Sequence, residues 1–333
     1  MNRIKKLKIL FFIIVAAILM ALPFVIKKAK QTKPTTVTPI PTPVIPSFYR
    51  TTLPITLDLD EKNVNLPQEL PLISLIPSSI SEEEAKQTAK NLGFSSEAKK
   101  IKSSLYGDRL FWNDKLSYLY ISLEIGNVSY GHNDMPITKS VGLKDEDINK
   151  TAEDFLNNNF PYASASYKVS SIQFIKKPDT QGTDLIETDK SKASFYKVNL
   201  VPKNLNLEMI TFSQKSSPYG IVVLPDGKIL SVTLDKIGEI KESASKYSIK
   251  NYNDIKSEAK NASLVDIEGI FSPQEQLPAS SIESIKINKV SVVYVFENNT
   301  SKNLIPVFLF EGVLTKNDKN QLQVRLFLPA IKS

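Results

Sequence analysis

The apolar positions divide the chain into a long uncharged stretch, a proline-rich stretch and a body of short amphipathic segments. Eighteen residues from Ile9 to Ile26 carry no charge. As a helix rising about 1.5 Å per residue they would reach ~27 Å, close to the ~30 Å bilayer core. Lysines on both sides can snorkel to the interfaces. We therefore predict an uncleaved transmembrane anchor. The alternative is a cleaved signal peptide, for which Ala21-Leu22-Pro23 is a poor cleavage site.

The orientation of this anchor is predicted from the segments on its two sides. Four Lys or Arg residues lie on each side, so the positive-inside rule does not decide which side is cytoplasmic. The N-terminal tail is short, and the other side begins with a spacer from Lys33 to Pro46 that holds five prolines. Proline favours an extended chain. We predict a single-pass protein of the cell membrane, with a cytoplasmic N-terminus and an extracytoplasmic body.

The body contains three predicted helices. Ser81 and Glu84 form a capping-box pattern, and Gly93 fits the C-terminal stop. Apolar residues then recur at helical spacing in each segment: Ala85, Ala89 and Leu92 in the first, Ile148, Ala152 and Phe155 over 144–157, and Ile255 and Ala259 over 252–263.

Alternating strand patterns follow each of these helices. Leu224 to Lys228 separates two of the strands with a hairpin signal, and Leu322, Val324, Leu326 and Leu328 alternate with more polar positions. We predict an α+β fold in which a transmembrane helix precedes tandem units, each a helix followed by an antiparallel meander. The predicted boundaries are 1–30 for the tail and anchor, 31–47 for the linker, and 48–142, 143–250 and 251–333 for three α+β units.

The order of these elements resembles known bacterial proteins. A helix beginning Ser81-Glu82-Glu83-Glu84-Ala85, and a meander that closes at Asp226-Gly227-Lys228, are similar to the PepSY module. The basic tail, single anchor and repeated units also resemble the YycH/YycI regulators, as do the segments 304–312 and 328–331. This resemblance implies an extracytoplasmic regulatory protein that contacts a sensor histidine kinase in the same membrane. It implies no catalytic residues.

Charge and composition exclude several classes of protein. The net charge is +7, but residues 1–33 hold eight basic residues and no acidic one. The rest of the chain has 34 basic and 35 acidic residues, so its net charge is close to zero. We therefore predict no nucleic-acid partner. The chain has no cysteine, which excludes disulfides and thiolate metal sites, and one histidine, which excludes a multi-histidine metal site.

Candidate catalytic and metal-binding patterns each have a simpler explanation. The spacing of a serine–lysine hydrolase, Ser-x-x-Lys, occurs about as often as chance predicts, at Ser96/Lys99, Ser194/Lys197, Ser243/Lys246 and Ser257/Lys260. His132 lies among turn formers and is interpreted as an exposed loop residue. Asp58 to Glu61 offers too few ligands for calcium. The acidic runs Glu82–Glu84 and Asp145–Asp147 suit the first turns of helices. We predict no catalytic residues, cofactor or metal.

Aromatic residues leave a second function open. Trp112 with Tyr118, Tyr120 and Tyr130 could form a platform for a sugar or a peptide, although such residues also cover sheet faces. The leading hypothesis is a non-enzymatic, membrane-anchored module that binds a membrane or envelope protein. The alternative is a cell-envelope protein that is structural or binds glycan or peptide. The binding residues and the oligomeric state stay open.

Overall fold

The computed structural model describes residues 45, 47, 49, 52–104, 107–133, 142–176, 186–211, 216–267, 277–298 and 301–332. These belong to one compact unit, Pro43–Ser333. They form two large sheets and four α-helices: α1 (Glu82–Asn91), α2 (Asp145–Asn159), α3 (Pro161–Ser164) and α4 (Tyr252–Glu258). The predicted anchor, Ile9 to Ile26, lies outside the described residues. Within the described ranges, no helix has the length and apolar character needed to cross a membrane.

The nine-stranded sheet is antiparallel throughout. Its strands follow the order β3-β4-β5-β6-β12-β11-β9-β7-β8. The bounds are β3 (Lys99–Ser103), β4 (Gly107–Asn113), β5 (Ser117–Ser122), β6 (Asn127–His132), β7 (Tyr167–Lys176), β8 (Ile186–Glu187), β9 (Phe195–Pro202), β11 (Tyr219–Val223) and β12 (Ile229–Asp235).

The eight-stranded sheet is built around the long β15–β16 pair. Its main path is β1-β15-β16-β17-β14, while β2 joins β16 to β13, and β10 adds to β15. Only β1 and β10 run parallel to their described partner, β15. The bounds are β1 (Ile55–Leu57), β2 (Glu69–Pro77), β10 (Met209–Ile210), β13 (Ile237–Ser248), β14 (Ser263–Ile267), β15 (Ile282–Asn298), β16 (Ser301–Lys316) and β17 (Gln321–Pro329).

The predicted local signals are present at three places. Ser81 and Glu84 form a reciprocal capping box at α1, and Gly93 follows the helix with φ of +88°. The β11–β12 hairpin closes at Asp226-Gly227, where Gly227 has φ of +83° and Asp226 accepts from the Lys228 N–H. These predictions are confirmed. Each depends on a few adjacent residues, so the sequence alone was sufficient to make it.

The predicted fold class is wrong. The described chain is mainly β, with two large sheets and short helices, and it is not a series of helix-plus-meander units. Strands that were assigned to different units hydrogen-bond to one another: β6 pairs with β12, and β2 pairs with both β13 and β16. Alternation in a sequence identifies a strand and its buried face, but it does not identify the partner strand.

The largest apolar core lies on one face of the nine-stranded sheet. It contains Ala85 and Ala89 of α1, and Ile148, Ala152 and Leu156 of α2, together with inward residues such as Leu119, Val128, Val198 and Ile221. A second core lies in the eight-stranded sheet, where Ile255 of α4 packs with Ile285, Phe308, Phe310 and Leu326. The helices α1, α2 and α4 therefore bury their apolar stripes against the sheets, as their spacing predicts.

Candidate functional site

His132 lies at the end of β6, directly opposite Ser117 of β5. Its Nδ1 is 3.0 Å from the Ser117 Oγ, and its Nε2 is 3.1 Å from the Tyr130 hydroxyl. Asp114 accepts from the Ser117 N–H at 2.6 Å rather than contacting the imidazole ring. Both ring nitrogens thus have hydrogen-bonding partners in β5 and β6. The imidazole is exposed, as the sequence predicts, but His132 belongs to strand β6 and not to a loop.

Lys197 of β9 lies beside a serine, but not the serine that its sequence spacing suggested. Its Nζ donates to the Ser216 Oγ at 2.7 Å and to the Ser217 carbonyl at 3.3 Å. Burial lowers the pKa of Lys197 to about 8. Ser216 is only 3% exposed, so a substrate would not reach its hydroxyl in this arrangement. The pair is therefore interpreted as part of the packing between β9 and the start of β11.

The lowered pKa of Lys197 predicts a specific dependence of stability on pH. Its ordinary value is 10.5, so between pH 8 and 10.5 the unfolded chain binds a proton that the folded chain does not. The stability that uncharged Lys197 contributes is fully present above pH 10.5 and is lost as the pH falls through 8. Denaturant unfolding should show a rise of about 3 kcal/mol over this interval, relative to Lys197→Met. Equal slopes for both proteins would contradict this assignment.

A polar network of two buried tyrosines and two half-buried residues joins β6, β7, β11 and β12. The Asp235 carboxylate accepts from Asn127 Nδ2 at 2.8 Å and from the Tyr219 hydroxyl at 3.0 Å. The Tyr167 hydroxyl donates to the Asp235 carbonyl at 2.8 Å. Burial raises the pKa of Asp235. All of these groups are satisfied by one another, so the network stabilises the centre of the sheet and offers no free group to a substrate.

The acidic runs have the structural roles that the sequence predicts. Glu82 to Glu84 occupy the first turn of α1, Asp145 to Asp147 occupy the first turn of α2, and Asp60 caps a 3-10 turn. Among the described residues, no group of three or more His, Asp or Glu side chains is arranged to hold a metal ion.

The predicted aromatic platform is divided between the two faces of the sheet. Trp112 and Tyr130 point into the core and are 3% and 6% exposed. Phe111, Tyr118 and Tyr120 lie half-buried on the opposite face, and we call these three residues the aromatic row. A Cβ added at Gly131 would lie 2.6 Å from the Tyr118 hydroxyl oxygen, so this ring extends over the glycine.

Two rings of the aromatic row contact other side chains of the protein. Phe111 and Tyr120 are directly paired across β4 and β5, and they stack with ring centroids 4.3 Å apart. The Arg109 guanidinium carbon lies 4.7 Å from the centre of the Tyr120 ring. One face of each stacked ring is therefore unavailable to a sugar.

A groove of about 480 Å³ runs between α2 and β7. We call it the edge groove. Asp145, Asn149 and Glu153 line the helix side, each four residues from the next, and Lys168 to Ile172 with Phe174 line the strand side. β8 pairs with β7 only at Ile175 and Lys176. In the described part of the chain, residues 168–173 of β7 therefore have a strand neighbour, β9, on one side only.

One wall of the edge groove is acidic. α2 contains five acidic residues, Asp145, Glu146, Asp147, Glu153 and Asp154, and one basic residue, Lys150. Asp145 forms an ion pair with Lys190, whose Nζ lies 5.7 Å from the centre of the Phe174 ring. Glu153 is exposed and has no ion-pair partner among the side chains that the structure describes. The opposite wall carries one basic residue, Lys168, whose Nζ donates to the Leu205 carbonyl at 3.0 Å. A positively charged ligand would therefore complement the α2 wall, at Glu153, and not the groove as a whole.

The strand pattern and the helix-dipole interpretation together missed the edge groove. Residues 167–175 alternate in the way that predicts a strand, but an edge strand and a central strand can share that pattern. The acidic residues of α2 were explained by the helix dipole, which accounts for the first turn and not for Glu153 in the third. The polar residues at 145, 149 and 153 form a stripe directly beside the apolar stripe of Ile148 and Ala152, and this polar stripe was the available signal.

Comparisons with known proteins give no function. No known protein family matches the chain, and no curated protein does. The chain is similar to a solved structure of an uncharacterized protein from Eubacterium rectale ATCC 33656, over 80% of this chain and 84% of that one. The two are 9% identical, with a TM-score of 0.46. The function must therefore be proposed from the residues of the chain itself.

Proposed function

We propose that this protein is a non-enzymatic binding module that is anchored in the cell membrane by Ile9 to Ile26 and contacts a partner protein outside the cytoplasm. The uncharged stretch, the basic residues on both sides of it and the proline-rich spacer support the anchor. A sensor histidine kinase is the partner that the resemblance to the YycH/YycI regulators implies.

The observation that carries this proposal is the edge groove. Exposed strand edges bind other chains readily, because their N–H and C=O groups are already oriented for pairing, and natural proteins usually protect them. Here a part of β7 that has no strand partner on its outer side, among the described residues, lies beside a groove with one acidic wall. A surface of this kind favours contact with a polypeptide over the binding of a small substrate.

Site-specific cross-linking in intact cells tests the proposal. A photoreactive amino acid is placed at Glu153, on the wall of the edge groove, or at the exposed Glu61, in the 3-10 turn after β1. We expect the Glu153 position to give an adduct with an integral membrane or envelope protein, and the Glu61 position to give none. Mass spectrometry identifies the partner.

Two results would count against the proposal. The absence of any adduct with a membrane or envelope protein from the groove position would remove its basis. An adduct with a cytoplasmic protein would contradict the predicted orientation of the body.

The aromatic row supports a second candidate function, the binding of envelope glycan. Tyr118 and the outer ring faces of the row offer apolar surface beside hydroxyl groups. If this function is correct, Tyr118→Ala should abolish the binding of the purified full-length chain to cell-wall fragments. Binding that survives Tyr118→Ala would exclude the row as the glycan site. Trp112 is unsuitable for this test because it is buried.

A further inference from the structure

We infer that the edge groove accepts an extended, lysine- or arginine-bearing segment of a partner protein, which adds as a strand to the edge of β7 that has no strand partner among the described residues. This inference rests on the proposed function, because it specifies how the partner is held. It follows from the backbone of β7, the side chains of α2 and the charge of the groove.

The backbone of β7 determines where hydrogen bonds to an added strand can form. The Phe174 carbonyl accepts from Thr188 N–H on the outer side, and the Ile175 carbonyl accepts from Ser194 N–H on the inner side. Peptide groups alternate between the two sides of a strand. The N–H and C=O of Ile172 therefore point outward, as those of Phe174 do, beyond the end of β8. An added strand would find its first partner at Ile172.

A β-bulge limits the length of this edge. The pairing of β7 with β9 shifts register between Val169 and Ser171, which places Ser170 in the bulge. The Ser170 hydroxyl donates to the Asn199 carbonyl at 3.3 Å and holds this conformation. Bulges interrupt a ladder and can end it. The regular outward edge between the bulge and β8 thus covers Ser171 to Gln173, with Ile172 as its outward-pointing residue, which suits a short segment.

α2 supplies an acceptor that has no donor among the described residues. The Asn149 Oδ1 is buried and has no hydrogen-bonding partner there. Buried polar atoms without a hydrogen-bonding partner are rare in proteins, and each lowers the stability by about 1–3 kcal/mol. Asn149 lines the groove between the carboxylates of Asp145 and Glu153. This oxygen is covered in the present arrangement, so the Asn149 side chain would have to rotate to present it to a ligand. An ammonium or guanidinium group entering the groove would be attracted first by the exposed carboxylate of Glu153.

The probe that tests the inference is a capped nine-residue peptide of alternating lysine and valine. Its binding to the purified full-length chain is measured by calorimetry at low salt. We expect saturable binding at one site, weakened about tenfold or more by Glu153→Lys and unaffected by the matched exposed variant Glu61→Lys. A peptide of the same sequence that is N-methylated at alternate residues keeps its charge but cannot form the hydrogen bonds of a strand ladder. We expect this peptide to lose binding.

The outcomes separate this inference from the function on which it depends. Equal binding of the plain and N-methylated peptides, or of wild type and Glu153→Lys, would overturn strand addition at the groove. No binding of the lysine–valine peptide would overturn it as well. Cross-links from Glu153 in cells would then still support a partner protein, held in another way, while their absence would remove the proposed function itself.

Discussion

Trp112→Ala is expected to lower the free energy of unfolding by about 4 kcal/mol, the largest effect that we predict for a single substitution. Trp112 lies in β4 with its side chain in the main core, where it is 3% exposed. Removing the indole leaves a cavity between α-helices and sheet that the surrounding side chains cannot fill. Chemical denaturation followed by circular dichroism measures the loss.

The neighbouring residue is the matched control for this prediction. Phe111 points to the opposite face and contacts Tyr120 at a centroid distance of 4.3 Å. Phe111→Ala should cost about 1 kcal/mol, which is the usual worth of an aromatic pair on a half-exposed sheet face. Similar losses for the two variants would contradict the assignment of inner and outer faces in β4.

Asp235→Ala is expected to lower the free energy of unfolding by about 3 kcal/mol. The substitution leaves Asn127 Nδ2 and the Tyr219 hydroxyl without their acceptor, and the Tyr219 side chain is only 4% exposed. Each unsatisfied donor costs about 1–3 kcal/mol. Urea unfolding at neutral pH measures the difference from wild type.

Asp235→Asn is the control that separates hydrogen bonding from charge. The amide oxygen still accepts from Asn127, and its nitrogen can donate to the Tyr219 oxygen, so the loss should be small. Burial raises the pKa of Asp235 above its ordinary value of 3.8. The carboxyl therefore contributes stability below pH 3.8 that is lost as pH rises through the raised value. Asp235→Asn should remove this decline, and an unchanged pH profile would contradict it.

Local sequence signals predicted three of the four described helices and the β11–β12 hairpin, but they missed the short α3 and could not predict which strands pair. The capping box at Ser81 and the glycine at 227 act within a few residues, so they are visible in the sequence. The pairing of Asn127 with Asp235, by contrast, joins positions 108 residues apart. Nothing in the alternating pattern of either strand selects the other. The error in fold class therefore came from assuming that each helix packs with the strands that follow it.

The candidate site was predicted only in part. Alternation along β4 and β5 placed tyrosines on a sheet face, and Tyr118 and Tyr120 do lie together on the outer face. The same alternation should have placed Trp112 opposite Phe111 and therefore inside. The edge groove could not be predicted because it depends on where β8 leaves β7, after pairing at only Ile175 and Lys176. A strand becomes an edge through the course of the whole chain, not through its own residues.

Amide hydrogen exchange of the full-length chain, with and without saturating lysine–valine peptide, tests the central claim most directly. The claim is that this protein binds a partner along the edge of β7 that has no strand partner in the described part of the chain. We predict slower exchange for the segment that contains Ile172, and unchanged exchange in β4 and β5, which carry the aromatic row. Bound peptide that leaves the exchange of β7 unchanged, or that protects β4 and β5 instead, would contradict the claim.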